Sequence, residues 1–201
     1  MKPVIITSAL LALLAIQGCK EDTPPTPSNG ITQDEINDLR FLREEEKLAR
    51  DVYLFSYAKY GEQIFTNISA SEQKHMDKVL ELLNTYNIQD PASADTGVFN
   101  NPTLQNLYAV LTAKSDSSLL DALWVGATIE DLDIDDIESN IGRTNRSDLL
   151  DVYNSLQCGS RNHLRAYASQ IKSNGSTYVP QYLSQSDYDD ILAGSHESCG
   201  G

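Results

Sequence analysis

Residues 44–53, EEEKLARDVY, lie within a longer run whose apolar residues have the periodicity of a helix, and this run decides the fold class. Charged side chains interrupt its apolar positions. Across residues 33–60 the apolar side chains recur with helical spacing and without the alternation of a strand. These side chains are Leu39, Phe41, Leu42, Leu48, Ala49, Val52, Tyr53 and Phe55. Thr32 and Glu35 predict a capping box at the start of this helix, and Gly61 predicts its end.

Three more long helices follow in the sequence. Their apolar patterns cover about residues 69–86, 119–137 and 147–171. Residues 87–102 are rich in Pro, Gly, Asn and Asp, which predicts a long crossing loop, and two shorter patterns predict helices over about 104–111 and 186–192. The sequence therefore predicts an all-α fold, most simply a four-helix bundle with a long crossing loop and a short C-terminal helix.

The composition excludes several classes of function. The chain has 201 residues, with 29 Asp and Glu against 15 Lys and Arg, and its formal net charge is −14. Binding to a nucleic-acid backbone or to an anionic lipid surface requires a basic face, which this composition disfavours. We therefore expect one acidic domain that has no nucleic-acid partner.

The N-terminal segment has the order of a processing signal. Residues 4–16, VIITSALLALLAI, follow Lys2 and are too short to span a bilayer as a helix, so they suit the core of a signal peptide. Gly18 and Cys19 come next, and the whole segment resembles a bacterial lipoprotein signal. This resemblance implies cleavage before Cys19 and lipidation of that residue. A plain secretory signal that ends near a cysteine is the alternative.

Such processing divides the chain into three parts. Residues 1–18 form the signal peptide, residues 19–31 form a Pro-rich tether, and residues 32–201 form the helical domain. The implied location is the cell envelope, where an outer-membrane lipoprotein contacts the membrane through its N-terminal lipid. Either face of that membrane fits the sequence.

Each long helix carries an ionisable side chain on its apolar stripe. These side chains are Glu45 on the first helix, Glu72 and His75 on the second, Glu130 on the third and His163 on the fourth. A buried unpaired carboxylate is costly, so such a group is normally neutralised, paired or bound to a metal ion. Carboxylate and imidazole donors together suit iron, manganese or zinc.

Taken singly, these residues also have ordinary explanations. A core histidine is often hydrogen-bonded, and the acidic run of residues 130–136 is of a kind that is usually solvated. Most of the charge in residues 44–46 is likewise expected outside the core. The common position of the five side chains on successive apolar stripes favours a metal site over these separate explanations.

One Glu from each of two helices, with Glu-x-x-His from each of two others, is the di-iron carboxylate pattern of ferritin-like proteins. The chain resembles that superfamily, and more closely the ferritin-like family catalogued as domain of unknown function 2202. The matching stretches are EEEKLARDVY (44–53), SEQKHM (71–76), ALWVGATIEDLDI (122–134) and GSRNHLRAY (159–167).

The resemblance assigns the metal ligands to Glu45, Glu72, His75, Glu130 and His163. Glu46 is the alternative to Glu45 on the first helix. The fourth helix departs from the pattern, because Ser160 stands where a Glu is expected, which leaves the site one carboxylate short. Asp133, one turn after the third-helix Glu, could replace the missing carboxylate; otherwise the site is mononuclear or asymmetric.

The resemblance implies a metal-dependent oxidoreductase that holds iron or manganese, with zinc as an alternative, and acts on peroxide, oxygen or Fe(II). Tyr53, Tyr86 and Tyr167 share the same stripes, either as redox neighbours or as packing residues. A non-catalytic cell-surface binding or structural module is the alternative function, and a homodimer stays open. A hydrolase lacks support, since no nucleophile elbow or oriented triad is visible.

The two remaining cysteines are expected to pair. Cys158 lies in the fourth helix and Cys199 lies near the chain end, after a Gly- and Ser-rich tail that has no core of its own. The cell envelope is oxidising, and a chain end without packing is ordered only when it is tied down. Two unpaired thiols, with Cys158 as a small buried residue, are the alternative.

Overall fold

The computed structural model describes residues 30–200. The expectations for the signal peptide, for Cys19 and for nearly all of the tether therefore lie outside the described residues. Six helices are present: α1 (Gln33–Tyr60), α2 (Gln63–Thr85), α3 (Pro102–Ser115), α4 (Leu119–Ile141), α5 (Ser147–Ser173) and α6 (Gln185–Ala193). Because residues 30–200 contain helices and no strand, the predicted all-α class is confirmed.

The first helix has the predicted ends. The Thr32 side chain accepts a hydrogen bond from the Glu35 backbone, and the Glu35 carboxylate accepts one from the Thr32 backbone. Gly61 is left-handed, with φ of 71°, where a glycine is favoured. The prediction that α2 begins near residue 69 was wrong: buried Phe65 and Ile68 continue its apolar stripe, so the helix begins at Gln63.

The long helices pack in two pairs. α1 lies along α2 and α4 lies along α5, while α1–α4 and α2–α5 contacts join the pairs. α3 packs on α1 and α4, and α6 packs on α5. Within residues 30–200, none of the helices combines the length and the apolar character that crossing a membrane requires.

Two apolar clusters fill the core, one towards each end of the long helices. One includes Val52, Phe65, Ile134 and Leu164, and the other includes Leu42, Val79, Ile137 and Leu156. Between them lies a buried set of ionisable side chains, called here the polar layer, made up of Glu45, Glu46, Glu72, His75, Glu130, Asp133 and His163. The fold thus holds these groups away from bulk water.

A buried ion pair fixes the loop between α2 and α3. Asp51 accepts hydrogen bonds from Lys47 Nζ at 2.6 Å, from Arg50 and from the Gly97 backbone at 2.8 Å. Lys47 also donates to the Asp95 carbonyl at 2.9 Å. Both Lys47 and Asp51 are fully buried, so the loop is attached to α1 through satisfied charges.

Two more buried carboxylates are satisfied by distant backbone. Glu44 accepts from the N–H groups of residues 100–101, just before α3. Asp131 accepts from the Tyr178 hydroxyl and from the N–H groups of residues 181–183. These acids are structural, because each organises a loop by charge-assisted hydrogen bonds.

The C-terminal tail lies back on α5. Cys158 and Cys199 form a disulfide with a Cα–Cα distance of 5.4 Å and a sequence separation of 41 residues. A loop of this length corresponds to about 4 kcal/mol in the chain-entropy model. Glu197 pairs with Arg161 and Arg165, and these hydrogen bonds lower its pKa to about 2. The tail is therefore held by one covalent and two ionic links.

Candidate metal centre

Glu72 lies at the middle of the polar layer. It is fully buried on α2, and its two oxygens face two different histidines. The Nδ1 atom of His75 lies 2.8 Å from Glu72 Oε2, and that of His163 lies 2.8 Å from Glu72 Oε1. Neither contact has hydrogen-bond geometry. The side chains therefore converge in the way that ligands converge on a common ion.

A second carboxylate faces each histidine. Glu46 Oε2 on α1 lies 3.2 Å from His75 Nδ1, and Glu130 Oε2 on α4 lies 3.3 Å from His163 Nδ1. Two groups result, one of Glu46, Glu72 and His75 and one of Glu72, Glu130 and His163, with the ligand atoms of each within 4.8 Å of one another. Glu72 belongs to both, which is the arrangement that a carboxylate bridging two ions requires.

The structure places Glu46, and not Glu45, in this arrangement. Successive residues on a helix point about 100° apart, so only one of two neighbours can face His75. Glu45 faces Asp136 instead, and burial, followed by the charge of Asp136, raises the pKa of Glu45. The expectation that most of the charge in residues 44–46 lies outside was wrong, because all three side chains are buried.

The two residues weighed for the missing carboxylate have different places. Ser160 donates a hydrogen bond to the Leu156 carbonyl within α5 and belongs to neither ligand group. Asp133 is buried in the polar layer but also stands outside both groups. The candidate ligand set therefore consists of three carboxylates and two imidazoles.

Charge coupling raises the proton affinity of the metal-free centre. Burial lowers the pKa of His75, but Glu72 and Glu46 outweigh it and raise the value to about 10. Burial also lowers the pKa of His163, but Glu72 and Glu130 outweigh it and raise that pKa well above its ordinary value. Burial also raises the pKa of Glu46 to about 8. With these values, His75 and Glu46 hold protons at pH 7.

Metal binding at pH 7 should therefore release about two protons per chain, from His75 and Glu46, since the ligands must be deprotonated. Affinity should rise with pH, by roughly two orders of magnitude per unit below pH 8. Calorimetric titration in two buffers that differ in ionisation enthalpy measures this release. The Glu46→Gln variant should release one proton fewer, and heats that are the same in both buffers would contradict the expectation.

The comparisons with known proteins identify the family of this chain. A model of the family described as "Uncharacterized protein domain (DUF2202)" matches residues 35–195, which include the polar layer. The chain belongs to the DUF2202 family. It is similar to the uncharacterized protein MJ0754 of Methanocaldococcus jannaschii, at 51% identity over 172 residues, covering 85% of this chain and 93% of that protein.

A solved DUF2202 relative supports the architecture. The crystal structure of hypothetical protein MJ0754 from Methanococcus jannaschii is similar to this chain with a TM-score of 0.83 at 50% identity. The match covers 86% of this chain and 99% of that one. The helical fold described here is therefore similar to one found in a crystal.

Two tyrosines lie beside Glu130 in the candidate centre. The Tyr53 hydroxyl donates a 2.6 Å hydrogen bond to Glu130 Oε1, the oxygen that does not face His163. The Tyr167 ring lies 5.4 Å from that of Tyr53. Such an outer partner fixes the orientation of a ligand. Tyr86 lies elsewhere, because its hydroxyl bonds Asp148.

The histidines are reached from one side of the molecule. A groove of about 820 Å³ between α2 and α5 is lined by His75, Gly159 and His163, and by tail residues that include His196 and Glu197. The tail is the part held by the disulfide. The two imidazoles are therefore the parts of the centre that this groove contacts.

Gly159 leaves the space that the His75 ring occupies. A Cβ atom at this position would lie 2.6 Å from His75 Nε2. Gly159→Ala should therefore displace the ring and lower metal affinity at that half of the centre by about 10- to 100-fold, as loss of ligand orientation does. The loss of affinity is measured by equilibrium dialysis with a radioactive metal ion or by competition with a fluorescent chelator.

The matched control is Gly142→Ala, where the nearest atom would be 3.6 Å away. This variant should bind metal normally. Equal affinities for the two variants would show that the ring position does not matter for binding.

Proposed function

We propose that this chain is a ferritin-like protein of the cell envelope that holds two transition-metal ions, iron or manganese, and uses them in redox chemistry with peroxide, oxygen or Fe(II). The observation that carries the proposal is the shared Glu72 carboxylate, which faces His75 on one side and His163 on the other at equal distances of 2.8 Å. The resemblance to ferritin-like proteins supports the same conclusion.

The donor set fits such ions. Glu46, Glu72 and His75 would hold one ion, and Glu72, Glu130 and His163 would hold the other. Glu46 Oε1 and both Glu72 oxygens are buried without a hydrogen-bond donor. Buried carboxylate oxygens in that condition are costly, and a cation would compensate them. Zinc is compatible with the same donors and is the alternative metal.

The protein's own residues supply positioning and protection. When bound, the metal ions would supply the capacity to exchange electrons with small oxidants. The two apolar clusters exclude water from the centre on both sides along the helices. Tyr53 holds the Glu130 carboxylate, and the groove beside Gly159 gives small molecules access to the imidazoles.

The activity is tested on the iron- or manganese-loaded full chain. Consumption of peroxide, or of Fe(II) in air, should exceed that of the metal-free chain, and Glu130→Gln should lower it. A chain that binds two ions but consumes neither reagent would instead be the non-catalytic module considered as the alternative function.

The location in the envelope is proposed from residues 4–19. Cys19 should carry lipid, and the chain should fractionate with membranes. Cys19→Ser should release the protein into the soluble fraction, because stable anchoring takes more than one acyl chain and Cys19 is the attachment point for all of them. Equal distribution of the wild type and the variant would refute the anchor.

A further inference from the structure

Buried carboxylates in residues 30–200 fall into two sets. Glu44, Asp51 and Asp131 each accept hydrogen bonds from backbone or side-chain donors, as described above. Glu45 and Asp133 are equally buried, at 3% and 1% exposure, yet none of their four oxygens accepts a hydrogen bond from an N–H group or a hydroxyl among the described residues. The side-chain partner of Glu45 is another acid, Asp136. Their burial is therefore not explained by a role in holding a loop.

Glu45 and Asp133 line one small cavity. It lies between α1, α3 and α4, has a volume of about 20 Å³, and is otherwise bounded mainly by side chains such as Leu48, Leu107 and Ile129. A volume of this size accommodates one water molecule or one ion. Glu45 enters from α1 and Asp133 from α4, so the cavity has carboxylates on two helices and an apolar lining.

The surroundings add negative charge. Asp136 and Glu46 are the acidic neighbours of Glu45. Asp133 has four acidic neighbours, of which Glu45 acts most strongly and Glu46 next. Asp136 is only half-buried, so acidic groups continue from the cavity towards the surface.

We propose that Glu45 and Asp133 form a third cation site, which holds one divalent cation beside the dinuclear centre. A cation would compensate two carboxylates that otherwise lack an N–H or hydroxyl donor, and the cavity has room for it. The donors are oxygens alone, without an imidazole, and this set suits hard cations such as Mn²⁺, Mg²⁺ or Ca²⁺. The site goes beyond the proposed function and does not depend on its redox chemistry.

Counting bound Mn²⁺ tests the third site. The full chain, purified in detergent and stripped of metal by a chelator, is titrated with Mn²⁺, and free Mn²⁺ is followed by electron paramagnetic resonance. The wild type should bind three ions per chain. Glu45→Gln and Asp133→Asn should each bind two, because each removes one charge from the cavity with little change of shape.

Asp135→Asn is the matched control, since Asp135 lies on α4 two residues from Asp133 but is exposed. It should bind three ions. Circular dichroism melts identify any variant that fails to fold, and the two variants on different helices provide independent readings.

The outcomes separate this site from the dinuclear centre. Two ions in the wild type and in both variants would overturn the third site and leave the proposed function intact. Loss of every ion in Asp133→Asn would make Asp133 a ligand of the dinuclear centre and would also overturn it. A wild type that binds a single ion, kept in Glu72→Ala and lost in Asp133→Asn, would support the third site and count against the dinuclear centre.

Discussion

Replacing Glu72 by Ala should lower the affinity of the dinuclear centre for metal more than about 100-fold, because partners that only orient a ligand already contribute 10- to 100-fold. Glu72 faces both histidines and belongs to both ligand groups, so its loss affects both ions together. After iron loading and desalting, elemental analysis should find no iron at either position of the centre in this variant.

The control for this experiment is Glu81→Ala, on the exposed face of the same helix. It should retain the metal content of the wild type. Substitution of Glu46 or Glu130 should have a smaller effect than that of Glu72, since each belongs to one group alone. Wild-type iron content in Glu72→Ala would remove the basis for a bridging role.

Replacing Asp51 by Ala should reduce the free energy of unfolding by about 3–5 kcal/mol, the range for breaking a buried pair from one side. The change leaves Lys47, which is fully buried, with the Asp95 carbonyl as its remaining described acceptor. It also removes the acceptor of the Gly97 N–H group. Urea unfolding followed by circular dichroism measures the loss.

The matched exposed pair is Lys59 with Asp116, whose side chains are 37% and 59% exposed. Asp116→Ala should change the free energy of unfolding by at most about 1 kcal/mol, because solvent screens the pair. Similar losses in the two variants would show that the buried pair does not hold the loop between α2 and α3.

The sequence predicted most of the helical architecture because local signals set it. The capping box at Thr32 and the left-handed glycine at position 61 fix the ends of α1 from residues at those ends. The start of α2 was placed six residues late, because the short link after Gly61 carries no strong breaker and Phe65 was not included in the stripe.

The candidate site was predictable only in part. The Glu72 and His75 pair is one helical turn apart, so its common face follows from helix geometry alone. The choice between Glu45 and Glu46 was beyond the pattern, because both flank the same apolar stripe and only the position of His75 on another helix separates them.

The buried structural acids could not be read from the sequence either. Asp131 lies in an acidic run that is typical of a solvated face, yet it accepts hydrogen bonds from backbone about 50 residues further on. Such donors come from tertiary structure. The same limit applies to the cavity between Glu45 and Asp133, which exists only once α1, α3 and α4 have packed.

Anomalous X-ray diffraction from crystals of the iron-loaded protein tests the dinuclear centre most directly. Two peaks should flank the Glu72 carboxylate, one beside Glu46 and His75 and the other beside Glu130 and His163. Data collected above and below the iron absorption edge identify the element at each peak. The proposed metal centre would be contradicted if no peak with an occupancy above about a tenth lay within bonding distance of Glu72.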